Sequence, residues 1–346
     1  MLVHADFRRV LIIKPSSLGD VVHALPTLAA LRDRFPKAHI AWLVKRQWAD
    51  LLERADGLDE VWPVEPTVGG WLAQLPRLRS ARFDLVVDLQ GLLRSGALAW
   101  LSGCPVRLGF ATAREASPMF YTHKVSVPSP QIHAVDRYLL AATALGATVR
   151  GRPEFRLRPS TADREDVTRL LTVHGLKEGT RWIAVNVSAR WPTKVWPPER
   201  FAALADGLQR EGLGSAVLIG GSDERPASQA VRTLMRTPAM DLTGKTALRL
   251  LPALLESAAL LVTNDSGPMH VAAAVRTPVV ALFGATSPVL TGPYGTGHRV
   301  LTHQVPCSPC LSRTCRNPVR LECLAGVSSE LALEAVRAQL ALKPER

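Results

Sequence analysis

Polar and charged residues gather where apolar, strand-like segments of this 346-residue chain end. The segment LLVTNDSGPMHVAAA, residues 260–274, passes from an apolar run into a small-residue helix at Asp265, Ser266, Gly267 and Pro268. Proline fits the first turn of a helix, and the free N–H groups and dipole of that turn favour an anion such as phosphate. A carboxylate beside them is unsuited to phosphate but suits sugar hydroxyls. The junction predicts a phosphate and sugar site, although ordinary capping of a helix would explain the same residues.

Three further turns carry similar groups. KPSSLGDVVHALP, residues 14–26, places Asp20 at the opening of a helix, as a cap or as a general base. This turn lacks the Lys-Ser/Thr ending of a P-loop and the GxGxxG spacing, so neither ATP hydrolysis nor dinucleotide binding is supported. SARWPTKVWPPERF holds Lys194 between prolines, where it could reach a phosphate or stay a solvated surface group. IGGSDERP ends a strand in two glycines and offers Asp223 and Glu224 to ribose hydroxyls.

Four of the five cysteines lie within one short segment, at Cys307, Cys310, Cys315 and Cys323. The x2 spacing of the first pair allows both thiols to reach one ion, so the cluster predicts a structural tetrahedral zinc or iron site. Four reduced thiols in a loop are the alternative. The fifth, Cys104, is expected to be a buried apolar side chain.

The composition is that of a folded protein, with 47% hydrophobic and 21% charged residues, and the length suggests two domains. The net charge of +12 is spread over both halves. It favours an anionic substrate or a negative membrane surface, or it reflects the high arginine content of many cytosolic proteins from GC-rich genomes. The apolar runs are too short for the core of a signal peptide or for a membrane-spanning helix. The chain is therefore expected to be cytoplasmic, with a peripheral position on the inner face of the cytoplasmic membrane as a further expectation.

Apolar segments alternate with helical patterns twice along the chain. Strands are predicted at residues 8–14, 39–45, 60–65, 83–90 and 106–110, and again at 182–188, 215–221, 259–265 and 278–284. Helices are predicted at 20–35, interrupted by Pro26, and at 198–211, 224–235 and 268–275. This alternation predicts two doubly wound α/β domains, each with a parallel sheet. Ligands of such sheets bind at the carboxyl ends of the strands, so the active site is expected in the cleft between the domains.

These segments together resemble glycosyltransferase family 9, the ADP-heptose:lipopolysaccharide heptosyltransferases, over nearly the whole chain. The matching stretches are SSLGDVVHALPTLAALR, DLQGLLRSGAL, HAVDRYLLAA, WPTKVWPPERFAALA, LTGKTALRLLPALLESAALLVTNDSGPMHVAAA and TPVVALFGATSP. QGLLRSG and HAVDR are more similar to heptosyltransferase I, and the cysteine cluster to heptosyltransferase II or broader members. One departure is NVSA at residues 186–189, where many relatives have PGA.

The resemblance implies a GT-B fold, in which two Rossmann-like domains face each other across a cleft. It places the acceptor on residues 1–155 and the nucleotide-sugar on residues 156–346, whose last helix could pack back on the first domain. It implies an inverting transfer from ADP-L-glycero-D-manno-heptose to Kdo-lipid A or heptosyl-Kdo-lipid A, without a catalytic metal or cofactor. The implied partners are the ADP-sugar, an anionic lipopolysaccharide precursor and the inner-membrane surface, not nucleic acid. A monomer is expected.

The resemblance also implies a role for individual residues. Asp20 matches the general base for the acceptor hydroxyl, and Arg94 a basic residue of the cleft. The implied donor-binding residues are Lys194 for the diphosphate, Glu224 for the ribose with Asp223 as its neighbour in register, Asp265 for the heptose hydroxyls, and Ser266, Gly267 and His270 for the diphosphate cradle.

Two other functions fit part of the sequence. A protein O-heptosyltransferase would use the same donor and can carry a comparable cysteine cluster, but such enzymes generally have extra N-terminal elements. A basic nucleic-acid-binding protein with a zinc knuckle would account for the charge and the cysteines. It leaves the junctions at Asp20, Lys194 and Asp265 unexplained.

Overall fold

The computed structural model describes residues 2–342. The chain divides into two compact units, Met1–Arg158 and Pro159–Arg346. The boundary lies slightly later than the sequence suggests because residues 157 and 158 are tied to the first unit. Leu157 forms an antiparallel bridge with Ala55, and the Arg158 N–H donates to the Arg54 carbonyl at 2.8 Å.

Within the described part of the first unit, a six-stranded parallel sheet has the order β3-β2-β1-β4-β5-β6. Its strands are β1 (Arg9–Ile13), β2 (His39–Lys45), β3 (Glu60–Val64), β4 (Leu85–Asp88), β5 (Val106–Phe110) and β6 (His123–Val125). Its helices are α1 (Leu18–His23), α2 (Leu25–Arg34), α3 (Arg46–Leu52), α4 (Val68–Leu72), α5 (Leu75–Ala81), α6 (Leu93–Leu101) and α7 (Ala134–Ala144).

Among residues 159–342, a second six-stranded parallel sheet has the order β12-β11-β10-β7-β8-β9. Its strands are β7 (Trp182–Asn186), β8 (Ser215–Leu218), β9 (Met240–Asp241), β10 (Leu260–Asn264), β11 (Val279–Phe283) and β12 (His298–Thr302). Its helices are α8 (Thr161–Val173), α9 (Pro198–Arg210), α10 (Arg225–Leu234), α11 (Leu251–Ser257), α12 (Gly267–Ala274), α13 (Pro288–Thr291), α14 (Glu322–Ala325) and α15 (Ser329–Ala341).

The two sheets repeat one strand order, that of a doubly wound Rossmann-like domain. In each, the direction of strand addition reverses beside the first strand, between β1 and β4 and between β7 and β10. The crevice at such a reversal, at the carboxyl ends of the strands, is where these sheets bind ligands. The turns after β1 and β4 lead to Asp20 and Arg94, and those after β7 and β10 lead to Lys194 and Asp265. The topology therefore brings each pair of predicted residues to a ligand-binding edge.

The predicted α/β class is confirmed, and a strand forms within each of the nine predicted segments. The helix predicted at 20–35 is divided, since α1 ends at His23 and Pro26 occupies the first turn of α2, where its missing N–H costs nothing. Sequence reasoning missed β6, β9 and β12, which are short or largely exposed edge strands. The last helix, α15, packs against α9 and against β10, β11 and β12 of its own unit.

No helix in residues 2–342 combines the length and apolar character needed to cross a bilayer.

Candidate functional site

Asp20 lies on the first turn of α1 and serves two sets of partners. Its Oδ2 accepts hydrogen bonds from the Ser17 N–H at 3.0 Å and the Ser17 hydroxyl at 2.8 Å, as in a capping box. Its Oδ1 faces Lys14, whose Nζ lies 3.7 Å away, and accepts a hydrogen bond from the Tyr138 hydroxyl at 3.1 Å. The side chain keeps 38% of its surface exposed. Capping thus occupies one carboxylate oxygen and leaves the other within an ionic, partly open site.

Lys14 and Tyr138 are buried around this carboxylate. Lys14 directly follows β1, and its Nζ lies 4.8 Å from the centre of the Tyr138 ring. Burial lowers the pKa of Lys14, while the charges of Asp20 and Asp88 raise it in part. Burial and the charge of Asp20 raise the pKa of Tyr138, so its hydroxyl remains a proton donor.

The pKa of Asp20 is held well below its usual range. Burial raises this pKa, but the charge of Lys14 and the hydrogen bonds from Ser17 outweigh burial. Asp20 is therefore a carboxylate throughout the physiological pH range. It is ready to accept a proton or to bind a hydroxyl, although a depressed pKa also makes it a weaker base.

A second buried carboxylate, Asp88, ends β4 and shapes the turn that leads to Arg94. Its Oδ1 accepts the N–H groups of Gln90 and Gly91 at 2.9 and 3.1 Å, and its Oδ2 accepts the Tyr121 hydroxyl at 2.7 Å. Burial raises the pKa of Asp88, although these hydrogen bonds lower it in part. Arg94, on the first turn of α6, is exposed, and its guanidinium lies 5.6 Å from the centre of the Trp71 ring.

The cations whose charges reach Lys14 are Arg137 and Arg114, which lower its pKa. Arg137 also lies over the Phe110 ring, 5.2 Å from its centre. Arg94 thus lies over Trp71, whereas Arg114 and Arg137 are the cations whose charges act on Lys14. The predicted cleft role of Arg94 is not tested by these contacts.

The two histidines of the matching motifs in the first unit have structural neighbours. The rings of His23 and His133 meet edge to face, with centroids 5.3 Å apart. The His133 Nδ1 accepts the Val135 N–H at 3.2 Å and thereby caps α7. This contact gives His133 a structural role.

In the second unit, Lys194 and Asp265 form a direct ion pair. The turn after β7 places the Lys194 Nζ 2.6 Å from the Asp265 Oδ2, and Asp265 is nearly buried. The Thr286 hydroxyl donates to the same oxygen at 2.6 Å. The Lys194 ammonium also lies 4.8 Å from the centre of the Trp191 ring. The ammonium and the carboxylate are thus held side by side at the end of β10.

Helix α12 begins beside this pair without a side-chain cap. Ser266 holds the capping position, but its side chain makes no capping hydrogen bond. Its hydroxyl instead donates to the Asn186 Oδ1 at 2.8 Å. The Asp265 carboxylate is likewise held by Lys194 and Thr286. Both side chains that could cap α12 are used elsewhere, so the simple capping interpretation of this junction is wrong.

Gly267, His270 and Asn186 are the remaining residues of this junction. Gly267 opens α12, and His270 is buried on its first turn. Asn186, from the NVSA segment, is buried, and its side-chain amide donates to the Ile219 carbonyl at 3.2 Å. This bond orients the amide, whose Oδ1 accepts the hydrogen bond from the Ser266 hydroxyl. The Trp196 N–H donates to the Asn264 Oδ1 at 2.9 Å and fastens the lysine turn to the end of β10.

Glu224 and Asp223 lie in the turn after β8. The Glu224 Oε2 accepts the Gly221 N–H at 2.9 Å, so this carboxylate stabilises the turn that leads to α10. Asp223 is exposed. The ribose contact predicted for either residue is not tested by these local bonds.

The four clustered cysteines line a cavity of about 650 Å³. Among residues 2–342, however, no group of three or more His, Cys, Asp or Glu side chains could hold a metal ion. Burial and the neighbouring thiols raise the pKa of Cys323. The structure therefore gives no support to the predicted metal site. Cys104 is buried as expected, and burial raises its pKa to about 11.

The cysteine segment contacts the turn that carries Lys194 and the turn that carries Thr286. The Thr193 hydroxyl donates to the Ser312 carbonyl at 2.6 Å, and the Leu311 N–H donates to the Ala285 carbonyl at 2.7 Å. These bonds lie one residue before Lys194 and one residue before Thr286. The segment thus supports the lysine turn and the threonine turn.

Sequence reasoning missed Lys14, Tyr138, Asn186 and Thr286 as parts of these sites. The sequence could have indicated the burial of Lys14, because a lysine that directly follows an apolar central strand is buried when the sheet is covered on both faces. Tyr138 gave none, since it lies 118 residues from its partner Asp20.

The chain is similar to known proteins over most of its length. The model of the family described as glycosyltransferase family 9 (heptosyltransferase) matches residues 71–320. The chain is 31% identical over 326 residues to lipopolysaccharide heptosyltransferase 1 of Pseudomonas aeruginosa, covering 89% of this chain and 87% of that protein.

Two solved structures share the fold over almost all of both chains. A glycosyl transferase family 9 structure from Veillonella parvula superimposes with a TM-score of 0.84 at 27% identity, covering 98% of each chain. The ADP-heptose lipopolysaccharide heptosyltransferase II of Escherichia coli gives 0.78 at 25% identity, covering 96% of this chain and 98% of that one. These matches confirm the predicted GT-B fold.

Proposed function

Because the chain belongs to glycosyltransferase family 9, we propose that it transfers heptose from ADP-L-glycero-D-manno-heptose to the inner core of a lipopolysaccharide precursor. The acceptor would be Kdo-lipid A or heptosyl-Kdo-lipid A. Two of the similar proteins, from Pseudomonas aeruginosa and Escherichia coli, are lipopolysaccharide heptosyltransferases, and the name of the second includes ADP-heptose. We propose the unit with Asp20 as the acceptor side and the unit with Lys194 as the donor side.

The observation that carries the proposal is the ion pair beside the uncapped start of α12. Free N–H groups and a helix dipole suit a diphosphate, and Lys194 adds a positive charge within reach of the same anion. Asp265, whose Oδ2 is held by Lys194 and Thr286, would offer its Oδ1 to a sugar hydroxyl. This arrangement would accommodate a phosphate group and a sugar hydroxyl side by side, as a nucleotide-sugar requires.

On the acceptor side, Asp20 would take the proton of the attacking hydroxyl. The acceptor oxygen would then bond to the anomeric carbon as the bond to the ADP oxygen breaks, with inversion. Lys194 and the first turn of α12 would stabilise the negative charge that grows on the departing diphosphate. In this scheme Lys194 and the first turn of α12 stabilise the leaving group. We therefore expect transfer to continue in the presence of a metal chelator.

Product analysis tests the proposal directly. The purified protein is incubated with ADP-heptose and, separately, with Kdo-lipid A, heptosylated core and a peptide acceptor. We expect heptose on a lipopolysaccharide acceptor, detected by mass spectrometry, and none on the peptide. Transfer to the peptide alone would instead identify a protein O-heptosyltransferase. No transfer from ADP-heptose to any acceptor would refute the proposed donor.

Lys14 is expected to set the pH dependence of the proposed base. Replacing it with methionine removes the positive charge that lowers the pKa of Asp20, so burial then raises this pKa. A base acts only when deprotonated, so the acidic limb of the kcat/KM profile should move to higher pH in Lys14→Met. Tyr138→Phe, which removes one hydrogen bond and no charge, should move it less. An unchanged acidic limb in Lys14→Met would contradict this role.

The cysteine cluster is a separate proposal, which rests on the spacing of the four thiols and on the cavity that they share. We propose that they take up a structural zinc or iron ion after a local rearrangement, because their described positions do not form a ligand set. Elemental analysis of the purified protein should find about one equivalent of metal per chain, and Cys310→Ser should lose it. Metal-free, fully folded protein would refute this proposal.

A further inference from the structure

An exposed apolar surface joins helix α6 and the turn after β5 in the first unit. We define it as the apolar patch, made of Leu93 and Trp100 on α6 and Met119 in the turn after β5. Met119 is 72% exposed and Trp100 is 55% exposed, values unusual for such large apolar side chains. Most of the other large apolar side chains of this unit are buried.

The elements that carry the patch contact one another. The Trp100 ring lies 6.2 Å from the Phe120 ring, next to Met119. The Leu93 N–H donates to the Glu115 carboxylate at 3.2 Å, at the start of the same turn. Arg94, also on α6, lies over the Trp71 ring of α4. Leu93, Trp100 and Met119 therefore belong to one region of the surface.

Helix α6 is amphipathic, and much of its outer apolar face stays exposed although the Trp100 ring lies beside Phe120. Leu93, Ala97 and Trp100 follow the spacing of one helix face, and Leu98 and Ala99 are buried on the other. A helix with an exposed apolar face and basic flanks is suited to the boundary between lipid headgroups and acyl chains. Tryptophan at that depth places its ring in the apolar region and its N–H toward water.

Basic residues outnumber acidic ones around the patch. Segments 66–82 and 93–124 contain one acidic residue, Glu115, although Arg77 pairs with Glu60 outside them. Their basic residues are Arg77, Arg79, Arg82, Arg94, Arg107, Arg114 and Lys124. Two of these arginines are bound directly beside the patch, since Arg79 donates to the Leu101 carbonyl at 3.1 Å and Arg107 to the Phe120 carbonyl at 2.8 Å. Basic residues beside exposed apolar side chains complement an anionic bilayer.

We infer that the apolar patch docks the protein on a bilayer that contains anionic phospholipids. The inference rests on the proposed function in one respect, because a lipid-linked acceptor would bring the acceptor-binding unit to a membrane. Leu93, Trp100 and Met119 enter the headgroup boundary, and the surrounding arginines contact lipid phosphates. The same patch then holds the enzyme close to its lipid-linked acceptor.

Sedimentation with vesicles tests the inference without turnover. Vesicles of phosphatidylethanolamine and phosphatidylglycerol should bind the protein, and vesicles of phosphatidylcholine should bind it much less. Trp100→Ser/Met119→Ser should bind anionic vesicles about tenfold or more weakly, because both side chains would lose their burial in lipid. Met119→Ser alone should show a smaller loss, and it removes a side chain that has little packing to lose. Val173→Ser/Val289→Ser, which removes two exposed valines of the second unit, should bind as the unchanged protein does.

Activity on two forms of the acceptor separates this inference from the proposed function. The Trp100/Met119 variant should transfer normally to a deacylated, water-soluble acceptor and slowly to the same acceptor in vesicles. Equal vesicle binding by this variant and the unchanged protein would overturn the inference, as would a change in oligomeric state, which would assign the patch to a second copy of the chain. If no form of the protein transfers to any acceptor, the proposed function is wrong, while vesicle binding still decides the role of the patch.

Discussion

Asp20→Asn is expected to lower kcat for heptose transfer by about 10²- to 10⁴-fold, the usual contribution of a well-placed general base. Asparagine has nearly the same shape and can still accept the Ser17 N–H, so α1 keeps most of its cap. It cannot accept the proton of the acceptor hydroxyl. The affinity for ADP, measured by calorimetry, should be nearly unchanged, because the proposed donor groups lie on the other unit.

A second capping-box aspartate provides a matched control. Asp163 accepts the Ser160 N–H and hydroxyl, each at 2.9 Å, in the same way that Asp20 accepts those of Ser17. Its other oxygen binds Arg249 rather than a lysine and a tyrosine. Asp163→Asn should therefore lower the free energy of unfolding without lowering kcat of the folded protein. If Asp20→Asn behaves like Asp163→Asn, Asp20 is a structural cap and its proposed catalytic role is lost.

Lys194→Met is expected to weaken ADP binding, whereas Asp265→Asn is not. Lys194→Met removes a charged donor to the diphosphate, which is worth about 1.5–3 kcal/mol, or a roughly 10- to 150-fold loss of affinity for ADP and ADP-heptose alike. Asp265→Asn removes the carboxylate that holds the ammonium at 2.6 Å. ADP should then bind as tightly as before or more tightly, while the preference for ADP-heptose over ADP should fall.

Calorimetry with ADP and with ADP-heptose, in the absence of acceptor, measures both effects. Thr286→Val is the matched control, since it removes one hydrogen bond to Asp265 and leaves the ion pair in place. It should alter the preference for ADP-heptose only slightly. Unchanged ADP affinity in Lys194→Met would disprove the diphosphate role, and an equal loss of ADP and ADP-heptose affinity in Asp265→Asn would disprove the sugar role.

The sequence by itself determined the class of fold and the positions of the junctions. Buried parallel strands are continuous apolar runs and helices have their own spacing, so both can be read from neighbouring residues. β2 and β5 begin and end where the sequence predicted. The sequence did not predict the two-residue strand β9 or the exposed strand β12, because edge strands are often short and need no apolar pattern.

Only the tertiary structure decided what the residues at those junctions contact. From the sequence, Asp20 could be a cap or a base, and the structure gives one oxygen to the cap and the other to Lys14 and Tyr138. Asp265 could cap α12, and the structure pairs it with Lys194 instead. These partners lie on different elements, far apart along the chain. Strand order and helix packing bring them together, so the electrostatics of the site depend on distances that no local pattern encodes.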